Sequence, residues 1–131
     1  MIDSKELLDA ARAGRKLAYA PYSRFAVGAA LLGEDDKLYT GCNIENASYG
    51  LTCCAERTAL YKAVSNGIHR FTALAIVGGP IDGSADKPCL PCGICRQALA
   101  EFCDDDMPIY FADGTHMTLE ELLPKAFRLE R

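Results

Sequence analysis

Short apolar runs alternate with helical patterns along this chain, and that alternation is the feature that most restricts its fold. Residues 25–33 and 37–45 are strand-like runs joined by a short acidic turn, which predicts a hairpin. The continuous apolar run at 71–79 and the run at 108–112 predict two further strands, each preceded by a helical segment. Strands that alternate with helices favour an α/β sandwich whose later strands run parallel. The hairpin makes the predicted sheet mixed.

Four segments have the apolar spacing and the end signals of helices: 3–19, 54–66, 93–103 and 118–124. In the first segment, the apolar residues near helical spacing are Leu7, Leu8, Ala11 and Leu17. Gly67 is placed to end the second helix, and Thr118 with Glu121 has the pattern of a capping box. A chain of 131 residues is long enough to close one core, so we expect residues 1–131 to form a single domain.

Charge and hydropathy exclude several kinds of partner. The formal net charge is -4 and the basic residues are scattered, whereas binding to nucleic acid requires a basic face. No run approaches the roughly 20 apolar residues that span a bilayer, and the N-terminus is too mixed and charged for a signal peptide. We therefore expect a cytoplasmic protein with no nucleic-acid or membrane partner. In that reducing compartment, 7 cysteines suggest metal binding or catalysis more than disulfides.

Two cysteine groups stand at the predicted starts of two helices. Cys54 precedes Glu56 by two residues, and Pro-Cys-Gly-Ile-Cys at 91–95 opens the next helix. A helix N-terminus favours thiolates, because its free N–H groups carry a partial positive charge. Zinc bound by only three protein ligands keeps a fourth position open for water, which is typical of a catalytic site. Glu56 would stand beside that position as a proton carrier, and Arg57 could offset the surplus negative charge.

Each of these residues also has a simpler interpretation. A lone cysteine is usually a small buried apolar residue, which is what we expect of Cys42 and Cys103. A glutamate in a first helical turn often only complements the helix dipole. A structural zinc module closed by a fourth cysteine, Cys53 or Cys89, is the main alternative to an enzyme. Spacing alone also leaves two Cys-x-x-Cys frames open, one beginning at Cys89 and one at Cys92.

Cys-Ala-Glu at 54–56 together with Pro-Cys-Gly-Ile-Cys at 91–95 resembles the zinc-dependent cytidine deaminase superfamily. The chain is similar to the small, homotetrameric nucleoside cytidine deaminases through four segments: 22–32, 40–60, 91–102 and 122–127. The resemblance implies a three-layer α/β/α sandwich with a mixed five-stranded sheet and one Zn²⁺ per chain. It also implies a homotetramer that acts on a small nucleoside.

By this resemblance the zinc ligands are Cys54, Cys92 and Cys95. The family pattern has a proline directly before the ligand pair, and Pro91 satisfies it for the frame that begins at Cys92. That frame runs into a helix, whereas the frame from Cys89 contains Pro91 and cannot. Cys53 and Cys89 are then expected to be packing residues.

The resemblance also implies the chemistry. Glu56 takes a proton from the attacking water, protonates N3 of the pyrimidine and later passes a proton to the leaving ammonia. Water adds at C4, so cytidine and 2′-deoxycytidine become uridine and 2′-deoxyuridine, as in pyrimidine salvage. Arg57 compensates the charge of the thiolates. The alternative within this class is a deaminase of another aminopyrimidine nucleoside, of the antibiotic type.

Further residues match substrate contacts of the family. Asn43 and Glu45 are predicted on one face of the second strand, and the resemblance implies that they bind the ribose 3′-hydroxyl. Such contacts make a 3′-phosphodiester hard to fit. Phe25 matches an aromatic residue packed near the base, and Ala55 a position whose backbone meets the pyrimidine amide. Phe127 matches a residue that reaches the site of a neighbouring subunit.

Overall fold

The computed structural model describes residues 2–129 and contains every predicted helix and strand. The helices are α1 (Ser4–Arg15), α2 (Ala55–Ser65), α3 (Gly93–Phe102) and α4 (Leu119–Leu122). The strands are β1 (Phe25–Gly33), β2 (Leu38–Cys42), β3 (Phe71–Pro80), β4 (Pro108–Phe111) and β5 (His116–Thr118), and a short 3₁₀ turn spans Tyr49–Leu51. None of these helices combines the length and the apolar character that crossing a bilayer requires.

The strands form one mixed sheet in the order β2-β1-β3-β4-β5. β1 pairs antiparallel with β2 and with β3, and β4 pairs antiparallel with β5. β3 and β4 pair in parallel, with α3 in the crossover between them. The predicted mixed sheet is therefore confirmed, as is the parallel pairing of the two later predicted strands, β3 and β4.

Helices cover both faces of the sheet, so the molecule has three layers. Alternate residues of a strand point to opposite faces, and β3 divides its apolar side chains in this way. On one face, α1 packs on the sheet through Leu7, Leu8, Ala11, Ala73, Ala75 and Val77. On the other, α2, α3 and α4 share a core with the sheet that includes Leu60, Leu74, Ile76, Leu99, Ile109 and Leu122. This arrangement is the three-layer α/β/α sandwich.

The first helix is shorter than predicted, because it ends at Arg15 and not at residue 19. The chain then turns through Lys16 and Leu17, whose N–H groups bond to carbonyls three residues back. Tyr19 lies beyond the end of the helix and forms a single β-bridge with Ile44. Leu17 is consequently 78% exposed and does not join the core that its spacing predicted.

The second strand also ends earlier than predicted, at Cys42 and not at residue 45. The chain continues in pairing beyond it, since Ile44 forms single bridges with Tyr19 and with Cys53. Asn43 and Glu45 therefore lie past the end of the strand and not on its face. The bridge to Cys53 fixes this segment next to the start of α2.

The capping box at the last helix is confirmed, but the strand before it was missed. Glu121 N–H donates to Thr118 Oγ1 at 3.2 Å, and Thr118 N–H donates to Glu121 Oε1 at 2.9 Å. β5 consists of three residues that end at this cap, which is too short a run for periodicity to reveal.

Candidate active site

Three cysteine thiols converge where α2 and α3 begin. Cys54 is the N-cap residue of α2, Cys92 is the N-cap residue of α3, and Cys95 lies in the first turn of α3. The Sγ atom of Cys92 is 3.7 Å from that of Cys54 and 3.4 Å from that of Cys95. All three sulfurs lie within 4.8 Å of one another. The structure thus brings together the three residues predicted as ligands.

The spacing and chemistry of this cluster fit zinc. Sulfurs bound at about 2.3 Å to a tetrahedral zinc are roughly 3.8 Å apart, close to the separations of 3.7 and 3.4 Å. Neither Cys54 nor Cys92 uses its side chain to cap its own helix, so both thiols remain directed at the cluster. Two helix N-termini supply the positive potential that thiolates need. Within residues 2–129 the group contains three ligands, one fewer than a closed tetrahedron.

The thiols interact strongly with one another. The hydrogen bond with Cys95 lowers the pKa of Cys54 to about 5, with help from Arg57 and Cys92 and against the effect of burial. The same hydrogen bond raises the pKa of Cys95, as do burial and the charge of Glu56. The two shifts have opposite directions, so the cluster favours a thiolate at Cys54 over one at Cys95.

Arg57 lies against this negative charge. Its Nη2 is 3.8 Å from Cys54 Sγ and 3.5 Å from the carbonyl oxygen of Thr52. Burial acts against the charged guanidinium, but the hydrogen bonds to the Cys54 and Cys95 sulfurs outweigh it and raise the pKa of Arg57. This placement fits the predicted charge compensation.

Glu56 is the one charged side chain buried among the described residues, with 4% exposure. Burial raises the pKa of its carboxyl to about 7, and the nearby Cys54 adds to the shift. Glu56 lines a cavity of about 170 Å³ together with Cys54 and Cys92. A buried carboxyl that shares a cavity with a metal-ligand cluster is placed to move protons there.

Cys53 and Cys89 line the same cavity but stand outside the thiol cluster. The backbone of Cys53 is held by the bridge to Ile44, and its sulfur is 3.6 Å from the Thr58 hydroxyl. The Cys89 sulfur packs against Gly78, where a Cβ atom would stand 2.6 Å from it. Burial raises the pKa of the Cys89 thiol to about 11. Both sulfurs are packed outside the thiol cluster, and their role as non-ligands stays a prediction.

The predicted ribose residues are held by backbone groups. Asn43 lines the 170 Å³ cavity, and its side-chain amide accepts from Val27 N–H at 2.9 Å and donates to the Phe25 carbonyl at 2.8 Å. The Glu45 carboxylate accepts from the backbone N–H groups of residues 22 and 23 and from the Ser23 hydroxyl. These hydrogen bonds lower the pKa of Glu45, the Ser23 hydroxyl contributing most. Both side chains are fixed in orientation and keep unused lone pairs.

The other predicted substrate contacts are more dispersed. Ala55 is fully buried and lines the 170 Å³ cavity. Phe25 is 40% exposed and lines a second cavity of about 390 Å³, which shares Cys89 with the first. Phe127 is 65% exposed. A single chain therefore brings Ala55, but neither phenylalanine, into the cavity of the thiols.

Sequence patterns missed several residues around the site. Tyr22 and Tyr49 make an edge-to-face contact, with ring centroids 5.9 Å apart, and line a cavity of about 310 Å³ with Glu45. Tyr22 lies in a turn and Tyr49 begins the short 3₁₀ turn, and hydrophobic periodicity detects neither kind of segment. Arg96 was also missed, although its position directly after Cys95 was a signal that could have drawn attention to it.

Comparison with known proteins decides the family. Residues 1–111 match the model of the cytidine and deoxycytidylate deaminase zinc-binding region. The chain belongs to this deaminase family. A cytidine deaminase of Sporosarcina psychrophila is 48% identical to it over 133 residues, which cover 98% of this chain and 94% of the relative. The resemblance found in the sequence is thereby confirmed, and the zinc-binding region contains the thiol cluster.

Solved structures of this deaminase family have the same fold. A crystal structure of cytidine deaminase from Burkholderia pseudomallei matches with a TM-score of 0.87 and 44% identity, covering 96% of this chain and 100% of that one. A blasticidin-S deaminase of Bacillus cereus is a more distant relative, 31% identical over 103 residues that cover 75% of this chain and 74% of its own. The cytidine deaminases of Sporosarcina psychrophila and Burkholderia pseudomallei are thus similar over a longer part of the chain and at higher identity.

Proposed function

We propose that this chain is a zinc-dependent enzyme that hydrolyses cytidine and 2′-deoxycytidine to uridine and 2′-deoxyuridine, with release of ammonia, in pyrimidine salvage. The observation that carries the proposal is the cluster of three thiols, two of which, Cys54 and Cys92, line one cavity with the buried Glu56, inside the zinc-binding region of the family. The similarity to a cytidine deaminase over 98% of this chain supports cytidine as the substrate over other aminopyrimidine nucleosides.

In this proposal Cys54, Cys92 and Cys95 hold one zinc ion per chain. When bound, zinc supplies the Lewis acidity that makes a nucleophile from water near neutral pH. Arg57 offsets part of the charge that three thiolates and Glu56 bring together, because its guanidinium lies 3.8 Å from the Cys54 sulfur. The partial positive charges at the N-termini of α2 and α3 also offset this negative charge.

Glu56 moves the protons. It takes one from the water that attacks C4 of the pyrimidine and gives it to N3. The proton of the new C4 hydroxyl then passes through the carboxylate to the departing amino group, so that the C4–N bond breaks, a C4 carbonyl forms and ammonia leaves. Water replaces the amino nitrogen with oxygen, and the carboxylate returns to its starting state. Burial of Glu56 beside the cluster supports this role, because few solvent molecules compete for its proton.

Asn43 and Glu45 bind the ribose 3′-hydroxyl in this proposal. Their bonds to the β1 backbone and to residues 22–23 orient the amide and the carboxylate in advance, which lowers the entropy cost of binding. A carboxylate accepts from a hydroxyl but repels a phosphodiester, so a free nucleoside is preferred over a polynucleotide. Ala55 meets the pyrimidine amide with its backbone, and Phe25 packs near the base.

We also propose that the active protein is a homotetramer, in which Phe127 reaches the site of a neighbouring subunit. Several large apolar side chains are more than half exposed in the single chain, which supports burial between subunits. They include Leu17, Tyr19, Tyr49, Leu51, Leu90, Ile94, Phe127 and Leu129. The chain acts as one catalytic domain, and its free cysteines fit a reducing compartment such as the cytoplasm.

The proposal is tested by measuring ammonia release from cytidine, 2′-deoxycytidine, cytosine and blasticidin S with the purified, zinc-loaded protein. We expect the two nucleosides to be the fast substrates and cytosine to be slow, since cytosine lacks the ribose. Fast turnover of blasticidin S with slow turnover of cytidine would replace this proposal with a deaminase of the antibiotic type. Bound zinc with no turnover of any of them would indicate a structural zinc module.

A further inference from the structure

We propose that Arg96 is a positioning residue, which holds the turn that presents Cys92 and Cys95 by tying it to α4. The inference rests on the proposed zinc-ligand role of these two cysteines. Arg96 directly follows Cys95 and is half-buried.

Three hydrogen bonds connect Arg96 to its surroundings. Its Nε donates to the carbonyl of Pro91 at 2.7 Å, and its backbone N–H donates to the carbonyl of Cys92 at 3.0 Å. Its Nη1 donates to the carbonyl of Leu122, the last residue of α4, at 2.6 Å. The backbone bond belongs to the first turn of α3 and does not depend on the side chain, so the guanidinium itself links the carbonyl of Pro91, directly before the ligand Cys92, to the end of α4.

The ligand turn, which is the segment 89–95 that contains Cys92 and Cys95, has little other support from regular structure before α3 begins. Residues 81–92 form no helix or strand, and Pro91 has no N–H with which to join a backbone network. Cys92 makes no side-chain cap for α3. The carbonyl at the end of α4 likewise needs a partner from outside its helix. Arg96 meets both needs at once, which couples the ligand turn to α4.

A guanidinium is needed for this link, because it presents several donors in a rigid plane and reaches two carbonyls simultaneously. A lysine keeps the charge but offers a single flexible ammonium. Arg96→Lys therefore separates the geometry of the link from the charge near the thiolates. Charge-assisted bonds of this kind are among the stronger hydrogen bonds in proteins.

The chain offers two matched controls that also link α3 to the C-terminal segment. Arg128 donates to the carbonyl of Ala100 in α3 at 3.0 Å and to that of Cys103, the C-cap residue of α3, at 3.3 Å, at the end far from the ligands. Gln97 follows Arg96 and donates to the carbonyl of Phe127 at 2.9 Å. Each control removes a link to the C-terminal segment and leaves the bond to Pro91 in place.

The test is the rate at which the zinc-loaded protein loses zinc to a chromogenic chelator in the absence of nucleoside. We expect Arg96→Lys and Arg96→Ala to lose zinc about tenfold faster than the wild type, as is common when groups that support metal ligands are removed. Arg128→Ala and Gln97→Ala should match the wild type. Melting temperatures measured in parallel show whether faster release follows general destabilisation.

Equal zinc release from the wild type and from Arg96→Lys would overturn the role of Arg96 while leaving the proposed function intact. So would a rise in release that Arg128→Ala reproduces at the same melting temperature. A wild-type protein that binds no zinc would instead overturn the metal site itself, and with it this inference.

Discussion

At the scale of single residues, the site depends on which cysteines face one another. Cys54 and Cys92 are the cap residues of two helices and turn their thiols toward Cys95. Cys53, one residue earlier, turns its sulfur toward the Thr58 hydroxyl. A single step along the chain therefore separates a candidate ligand from a packing residue.

This difference predicts the zinc content of cysteine variants. Cys54→Ala, Cys92→Ala and Cys95→Ala should each lose zinc, because two remaining thiolates hold it weakly. Cys53→Ala and Cys89→Ala should keep one zinc per chain. Elemental analysis of the purified variants measures this directly. Stoichiometric zinc in any of the first three would remove that residue from the ligand set.

The ribose residues give a second prediction at this scale. Asn43→Ala or Glu45→Ala should lower kcat/KM for cytidine by roughly 10-fold to 100-fold, the range expected for lost hydrogen bonds that involve polar or charged groups. Zinc content should not change. Slow turnover of free cytosine serves as the control, since a base without ribose should respond less to these substitutions. A variant with unchanged cytidine kinetics would exclude its residue from the ribose site.

At the scale of elements, the position of α2 depends on a close approach to β2. A Cβ atom on Gly41 would stand 2.4 Å from the backbone nitrogen of Ala59 and 2.5 Å from the carbonyl oxygen of Ala55. The helix thus lies directly on the strand, with its first turn next to the site. Because Cys54 and Glu56 belong to that turn, the packing of α2 sets their position.

Gly41→Ala should therefore lower the free energy of unfolding by about 1–3 kcal/mol, through overpacking against the backbone of α2. Gly50→Ala is the matched control, because nothing lies within 4 Å of a Cβ atom there, and surface changes of this kind are usually within about 0.5 kcal/mol. Denaturant unfolding of the zinc-loaded proteins measures both. Equal stability of the two variants would contradict the close approach of α2.

Sequence patterns predicted some helices and strands more closely than others. β1, α2 and β3 were predicted closely, because each carries a strong apolar period or run and a clear turn signal. The ends of α1 and β2 were not, because the pairing of Tyr19 with Ile44 is a contact between distant segments that competes with helix and strand. Arg96 was overlooked for the same reason, since its bond to Leu122 joins parts of the chain that only the fold brings together.

At the scale of the whole molecule, one chain does not complete the site that the resemblance implies. Phe127 is 65% exposed, and its backbone carbonyl accepts a hydrogen bond from Gln97. Phe25 lines a different cavity from the one lined by Cys54 and Cys92. The proposed tetramer would supply the missing wall from a neighbouring subunit.

Light scattering of the purified protein should then give a mass about four times the 14.2 kDa of the chain. Phe127→Ala should raise KM for cytidine without loss of zinc, because the residue contacts substrate and not metal. A fully active monomer would exclude any contribution from a neighbouring subunit.

In the proposed mechanism, Glu56 carries protons for hydrolysis beside a three-thiolate zinc site. The most direct test of this role is Glu56→Gln, which preserves the shape of the side chain but cannot take up a proton. We expect ammonia release from cytidine to fall at least about a hundredfold, within the range for a lost general acid and base, while one zinc per chain is retained. Wild-type turnover with full zinc content in Glu56→Gln would exclude Glu56 as the proton carrier.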